Sequence, residues 1–229
     1  MSERSTQVNI LLFPEVTQLD FTGPAQVFAR LPGTSVALVA ATREPVMTDC
    51  GWAVLPTVDL ANAPAADVLM VPGGSGAFAA MLDPAILAFV SAQASAARFV
   101  TSVCTGSFVL GAAGLLDGRR ATSHWASLPL LSKFGAIPTE ERVVTDGTVI
   151  TGAGVTSGID FAFVLAELLH GREVAERAQL QIEYDPQPPF STGSARTAPA
   201  EWVAEARVAA ASERGPLVDR AARSLRNRG

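Results

Sequence analysis

The chain has 229 residues, 48% of them apolar, and carries a formal charge of −5 at neutral pH. That is enough apolar material to cover both faces of a sheet in one domain, and the negative balance argues against a nucleic-acid surface. Two cysteines and two histidines argue against a disulfide framework, a cysteine-rich metal site and a histidine-built zinc site.

The N-terminal stretch MSERSTQVNI lacks the apolar region of a signal peptide, and every long apolar run is interrupted by Gly, Pro or a charge. A soluble cytoplasmic protein with no membrane partner is expected. VNILLF (8–13) is a short apolar run ending at Pro14, the pattern of a buried central strand. Thr22-Gly23-Pro24 suits a helix start, because proline is tolerated in the first turn, and predicts a helix over 25–31. SVALVA (35–40) reads as the next strand, and residues 45–58, around Asp49-Cys50-Gly51, as a hairpin or flap. DVLMVPGGSG (67–76) is a strand ending in a glycine turn that opens a helix. Asp83-Pro84 starts another helix, reaching about Ala94.

RFVTSVCTGSFVLGAAGLL (98–116) is the centre of the pattern. A strand over 98–103 meets Cys104 and then passes straight into an Ala/Gly/Leu-rich helix. A residue at such a junction sits on a sharp turn with its side chain presented, as in the nucleophile elbows of hydrolases. The helix behind it directs unpaired N–H groups and a positive dipole end at the sulfur, which predicts a reactive thiolate rather than a core thiol. Small residues at Gly106 and Ser107 let the first helical turn pack under the strand.

Asp117-Gly118 closes that helix, and residues 119–135 contain a short strand and a helix. Asp146-Gly147 between two β-branched runs predicts a hairpin over 142–154. Helices follow over 155–170 and 172–182. Residues 183–199 hold four prolines and are irregular. The last thirty residues return to helix, with five arginines between Ser212 and Gly229 that read as a solvated helix face rather than a nucleic-acid contact.

Strands alternating with helices imply an α/β fold with a mostly parallel central sheet and helices on both faces. Its site lies beyond the carboxyl ends of the strands, where the strand order reverses. Asp20, Gly73-Gly74 and Cys104 each follow a strand and are expected to converge there. Residues 1–229 form one domain in this reading, with a Pro-rich segment and C-terminal helices over 183–229 packing on it.

LLFPEVTQLDFTGPAQVFA (11–29), MVPGGSG (70–76), VTSVCTGSFVLGAAGLLDGRRATSHW (100–125) and GAGVTSGIDFAFVLA (152–166) resemble the ThiJ/PfpI superfamily, which is class I glutamine amidotransferase-like and has a flavodoxin-like fold. The pairing of Asp20 with Cys104-Thr105, and the segment QIEYDPQPPFSTGS, are similar to its isonitrile (isocyanide) hydratase branch. Thr105 stands where peptidase-type members carry histidine. Asp20 is the acidic residue where deglycase-type members use glutamate. N-terminal domains of AraC-type transcription regulators share most of these motifs, but continue into a helix-turn-helix region for which this chain is too short.

The resemblance implies a cofactor-independent, metal-free hydro-lyase, expected to be a homodimer, that adds water to a small-molecule isocyanide. Cys104 is the implied nucleophile, giving a covalent thioimidate. Asp20 is the implied acid and base, its pKa raised if it is buried beside the sulfur. Thr105 places substrate or water and offers a backbone N–H, and Gly74 offers a second, oxyanion-type N–H. The competing reading is a non-catalytic protein that senses small molecules or redox state through an oxidisable Cys104.

Each residue also has a structural alternative. Asp20 can complement a helix start, Gly73-Gly74 can be a tight turn, and Thr105 can be an ordinary first-turn residue. His124 is read as a packed, hydrogen-bonded histidine rather than the partner of Cys104. Cys50, with no helix behind it, is expected not to be catalytic. Trp52 and Phe190 are expected in the core, with a pocket wall as the alternative.

Overall fold

The computed structural model describes residues 5–228; residues 1–4 and Gly229, the ends of the expected domain, lie outside them. Its strands and helices follow one another as β1 (Thr6–Leu11), α1 (Gln18–Phe28), β2 (Thr34–Ala40), β3 (Val46–Met47), β4 (Ala53–Val54), β5 (Val58–Asp59) and β6 (Val68–Val71). Next come α2 (Ala77–Ala80), α3 (Pro84–Ala96), β7 (Phe99–Val103), α4 (Gly106–Ala112) and β8 (Arg120–Ala121). After a 3-10 helix over Leu128–Phe134 come β9 (Ile137–Pro138), β10 (Val143–Asp146) and β11 (Val149–Gly152). The chain closes with α5 (Ser157–His170), α6 (Arg172–Gln181) and α7 (Ala200–Arg226).

Among the described residues the main sheet has seven strands in the order β10-β11-β7-β6-β1-β2-β5. All neighbours are parallel except β10, which runs antiparallel to β11 at the edge. Strands β1, β6, β7 and β11 are buried along nearly their whole length, which is why they read as apolar runs rather than alternating ones. Helices α1, α5 and α6 pack together as one layer, and α2, α3, α4 and α7 as another. The C-terminal helix α7 docks against α2, α4 and the 3-10 helix, burying Val203, Ala210, Val218, Ala221 and Ala222.

The strand order reverses beside β1, which pairs with β2 on one side and β6 on the other. Such a reversal opens a crevice at the carboxyl ends. The segments that follow β1, β6 and β7 all emerge there.

One helix begins earlier than its sequence signals predict. The first starts at Gln18 rather than near Ala25, with Gly23 and Pro24 inside it. A Cβ on Gly23 would come within 2.9 Å of Ile159 on α5, and one on Gly158 within 3.3 Å of the Asp20 carbonyl and 3.2 Å of Pro24. The glycines therefore allow α1 and α5 to cross closely, instead of marking a helix end. The N-terminus of α1 is capped from a distance: the Gln18 amide donates to Asp49 Oδ1 at 3.2 Å. A cap supplied from 31 residues away leaves no local signature.

The predicted flap is the β3–β4 hairpin, held against the chain after β1 by a bridge from Val16 to Thr48, while Val16 bridges on its other side to Gly74 after β6. Trp52 and Phe190 are 53% and 79% exposed, so the expected core positions are corrected. One lies on the hairpin and the other in the proline-rich segment, where no layer covers them. Two of the five tail arginines also turn inward: Arg214 donates to Ser127 Oγ at 2.6 Å, and Arg228 to the Ala112 carbonyl at 2.8 Å.

Candidate active site

Cys104 lies between β7 and α4 with φ +56°, a left-handed conformation that costs a non-glycine residue about 1–2 kcal/mol. The surroundings hold it there by saturating its backbone. Its N–H donates to the carbonyls of Gly152 at 3.1 Å and Ala153 at 2.7 Å. Its carbonyl accepts from Ser107 Oγ at 3.2 Å and Ser123 Oγ at 3.0 Å. Over-determination of this kind is how strain persists at a site. Gly106 is required behind it, because a Cβ there would overlap the Val71 and Pro72 carbonyls at the end of β6.

Asp20 is fully buried in the first turn of α1. Its Oδ2 accepts the Gly73 amide at 2.7 Å. The Cys104 thiol and the Asp20 carboxyl are close enough for each to bear on the other's proton affinity, yet Oδ1 receives no well-aligned hydrogen bond. Burial pushes the Asp20 carboxyl up from the ordinary 3.8 to about 7, against the opposing Gly73 and Cys104 hydrogen bonds, with the Asp49 charge adding to the rise.

The Cys104 thiol is pushed well above its usual range, first by burial and then by the charge of Asp20. Thr105, through its backbone N–H and its hydroxyl, pulls the other way without prevailing. The resting thiolate expected from the elbow is thus corrected. A sulfur on a residue only 4% exposed, beside a carboxylate, loses more solvation than the short helix α4 returns.

Thr105 Oγ1 accepts the Gly74 amide at 2.9 Å and donates to the Gly74 carbonyl at 3.0 Å. The Gly74 N–H expected to face an oxyanion is therefore spent on Thr105. Both glycines allow this close approach: a Cβ on Gly73 would lie 2.7 Å from Thr105 Oγ1 and 2.8 Å from Cys104 Cβ, and Gly74 has φ +129°.

Asp20, Gly73, Gly74, Cys104 and Thr105 thus meet at one point. His124 does not join the groups that bear on the Cys104 thiol. It is half-buried, stacks at 5.5 Å on Trp125, and is held neutral by burial and by Arg214. Cys50 sits exposed on the hairpin, its thiol donating to Asp49 Oδ1 at 3.4 Å.

A cavity of about 320 Å³ adjoins the elbow. Ser123 and Ala153, which hydrogen-bond the Cys104 backbone, form part of its wall together with His124, Trp125 and Thr156. Its outer side is closed by Gly193–Arg196 of the proline-rich segment. A larger cleft of about 650 Å³ between α3, α4 and the end of α7 has Lys133, Phe134 and Arg226 in its wall and none of the elbow residues. Sequence reasoning missed Ser123, Asp49 and the ion pair of Arg142 with Asp160, because each acts across the fold. Ser107 alone carried a local sign, three residues after the carbonyl it binds.

Residues 6–168 match the model of the DJ-1/PfpI family. The chain belongs to the DJ-1/PfpI family. It is 51% identical over 222 residues to a protein of Pseudomonas putida named isonitrile hydratase, covering 96% of this chain and 97% of that one. It superposes on the crystal structure of a ThiJ/PfpI family protein from Pseudomonas syringae with a TM-score of 0.90 and 44% identity, over 96% of this chain and 91% of that one. An HTH-type transcriptional regulator of Pseudomonas aeruginosa, GbdR, is 34% identical over 137 residues, or 59% of this chain and 37% of the regulator. The α/β fold with a mostly parallel sheet is therefore that of the family.

Proposed function

We propose that this protein is an isonitrile hydratase, converting R–N≡C and water into an N-substituted formamide. The observation that carries the reading is the 51% identity, over nearly the full length of both chains, to the Pseudomonas putida protein of that name. The buried Asp20–Cys104 pair supports it, because the terminal carbon of an isocyanide must be protonated and attacked together.

With one proton shared between Cys104 and Asp20, the carboxylate draws the proton from the thiol as sulfur attacks the isocyanide carbon. The same proton passes from Asp20 to that carbon, giving the thioimidate R–N=CH–S–Cys104. Water then adds to the carbon, Asp20 taking its proton and delivering it to nitrogen. The resulting R–NH–CH(OH)–S–Cys104 collapses by breaking the C–S bond, the hydroxyl proton returning to sulfur. Formamide leaves and the pair is restored, with no oxidant or reductant consumed. Thr105 supports the sulfur as negative charge moves onto it, through its backbone N–H.

The same reading takes the protein as a cytoplasmic homodimer. Trp202 and Val208 on α7, 58% and 71% exposed, offer apolar surface for a second copy, and light scattering at micromolar concentration tests it. A monomer mass would remove that part.

The deciding experiment follows formamide formation by ultraviolet absorbance with aliphatic and aromatic isocyanides, on wild type and Cys104→Ala side by side. Turnover by wild type alone is expected. Equal activity in Cys104→Ala would remove the nucleophile, and silence from wild type across the series would remove the hydratase reading in favour of a sensor.

A further inference from the structure

The segment QIEYDPQPPFSTGS (181–194) plays no part in the chemistry above, yet it is tied down at one end and placed beside the site at the other. Tyr184 Oη donates to Asp160 Oδ1 at 2.7 Å, and the ring packs on Phe163 with centroids 5.7 Å apart. Asp160 Oδ2 simultaneously takes the guanidinium of Arg142, which also donates to Thr156 Oγ1 at 3.4 Å. One carboxylate thus gathers the residue before β10, the first turn of α5 and the start of the irregular segment. Nine residues beyond Tyr184, Gly193 and Ser194 form the outer wall of the 320 Å³ cavity. Its inner wall contains Ser123 and Ala153, bonded to the Cys104 backbone.

We propose that this cavity receives the R group of the isocyanide and that the 183–196 strap sets which R groups fit, with Tyr184 as the positioning residue that anchors it through Asp160. The inference rests on the hydratase reading for the identity of the reacting group. An isocyanide is linear, so a carbon held at Cys104 projects R away from the buried Asp20–Gly73 side. The adjoining volume of about 320 Å³ has room for a cyclic or branched hydrocarbon group. Trp125, Leu128 and Val155 give the wall an apolar part on which such a group can seat, and Glu140, Glu141, Arg142 and Arg196 make up its charged part. Discrimination then comes from filled volume, where each methylene is worth about tenfold or more in kcat/KM.

The test uses ethyl and cyclohexyl isocyanide with wild type, Gly193→Leu and Tyr184→Phe. A Cβ on Gly193 meets nothing within 4 Å, so leucine there is accommodated by the fold and extends into open space at the wall. Gly193→Leu is expected to lower the cyclohexyl-to-ethyl ratio of kcat/KM at least tenfold, through KM. Tyr184→Phe keeps the ring packing and loses only the hydroxyl. It is expected to raise KM for cyclohexyl isocyanide about tenfold while kcat changes less than threefold.

Calorimetric titration with N-cyclohexylformamide supplies a readout independent of turnover, and Gly193→Leu is expected to weaken that binding about tenfold. Unchanged ratios and unchanged binding in both variants would overturn the assignment, as would absence of binding by wild type. Binding that is lost in Gly193→Leu, from a wild type that turns over no isocyanide, would sustain the cavity assignment and sink the hydratase reading alone.

Discussion

The Gly73 amide donates a 2.7 Å hydrogen bond to Asp20 Oδ2, joining the turn after β6 to the first helix and fixing the carboxyl beside Cys104. That single bond is not enough to keep the buried group ionised, and its pKa stands at about 7 instead of 3.8. Unfolded, the carboxyl releases its proton near the ordinary value. Between the two values the folded chain therefore holds a proton that the unfolded chain has lost. Stability contributed by this group falls as pH rises through that window and stays lower above it. From about pH 5 to about pH 8 the loss amounts to roughly 2–3 kcal/mol. Urea unfolding should show Asp20→Asn, which can still accept from Gly73, free of that share of the decline. Identical pH dependence in the two proteins would contradict the buried, proton-holding carboxyl.

On the proposed mechanism the same pair governs rate: Asp20 and Cys104 titrate together, and the form that reacts carries one proton between them. Below about 7 a second proton occupies the carboxylate that must accept from the thiol, so kcat/KM should drop about tenfold per pH unit on the acid side. It should level off above that limb until the thiol itself ionises. A profile flat down to about pH 5 would mean that Asp20 is not the base.

Thr105 is predicted to matter through its hydroxyl. Thr105→Val keeps the shape but leaves both the N–H and the carbonyl of Gly74 without their partner. Buried groups stranded in this way cost about 1–3 kcal/mol, and the turn that carries Gly73 loses its tether. Thr105→Ser restores a hydroxyl at the same depth. Denaturant titration and turnover should therefore rank wild type and Thr105→Ser close together, with Thr105→Val well below in both; equal behaviour of the valine variant would return Thr105 to the status of an ordinary first-turn residue.

Much of this arrangement is legible in the sequence. The strand-to-helix junction at Cys104, the glycine turn at 73–74 and the Asp83 cap, whose carboxylate accepts from Ala85 at 2.8 Å, are local features, and local features leave local patterns. What escaped was set by contacts between distant segments. Gly23-Pro24 looked like a helix start because the real cap, Asp49, is supplied by the hairpin. The elbow implied a thiolate because a helix dipole can be read from sequence, whereas the desolvation of Cys104 exists only once β7, α1 and α4 close over it. Likewise Gly74 offered an N–H on paper, and only the fold places Thr105 Oγ1 against it.

The strained elbow yields a last test that needs no substrate. Cys104 holds φ +56°, a conformation open to glycine and unfavourable to any residue with a Cβ. Cys104→Ala and Cys104→Gly both delete the sulfur and both leave Asp20 without its thiol neighbour, so those losses cancel between them. What remains is the relief of left-handed strain in the glycine variant, about 1–2 kcal/mol, offset by the greater freedom glycine regains on unfolding and by the loss of the buried Cβ. Cys104→Gly is therefore expected to match Cys104→Ala to within about 1 kcal/mol in urea unfolding, although at an unstrained site glycine would be the less stable by about 1–2 kcal/mol. An alanine variant more stable than glycine by about 2 kcal/mol would mean that the four hydrogen bonds with Gly152, Ala153, Ser107 and Ser123 hold a relaxed backbone, and that the elbow presents its sulfur without stored strain.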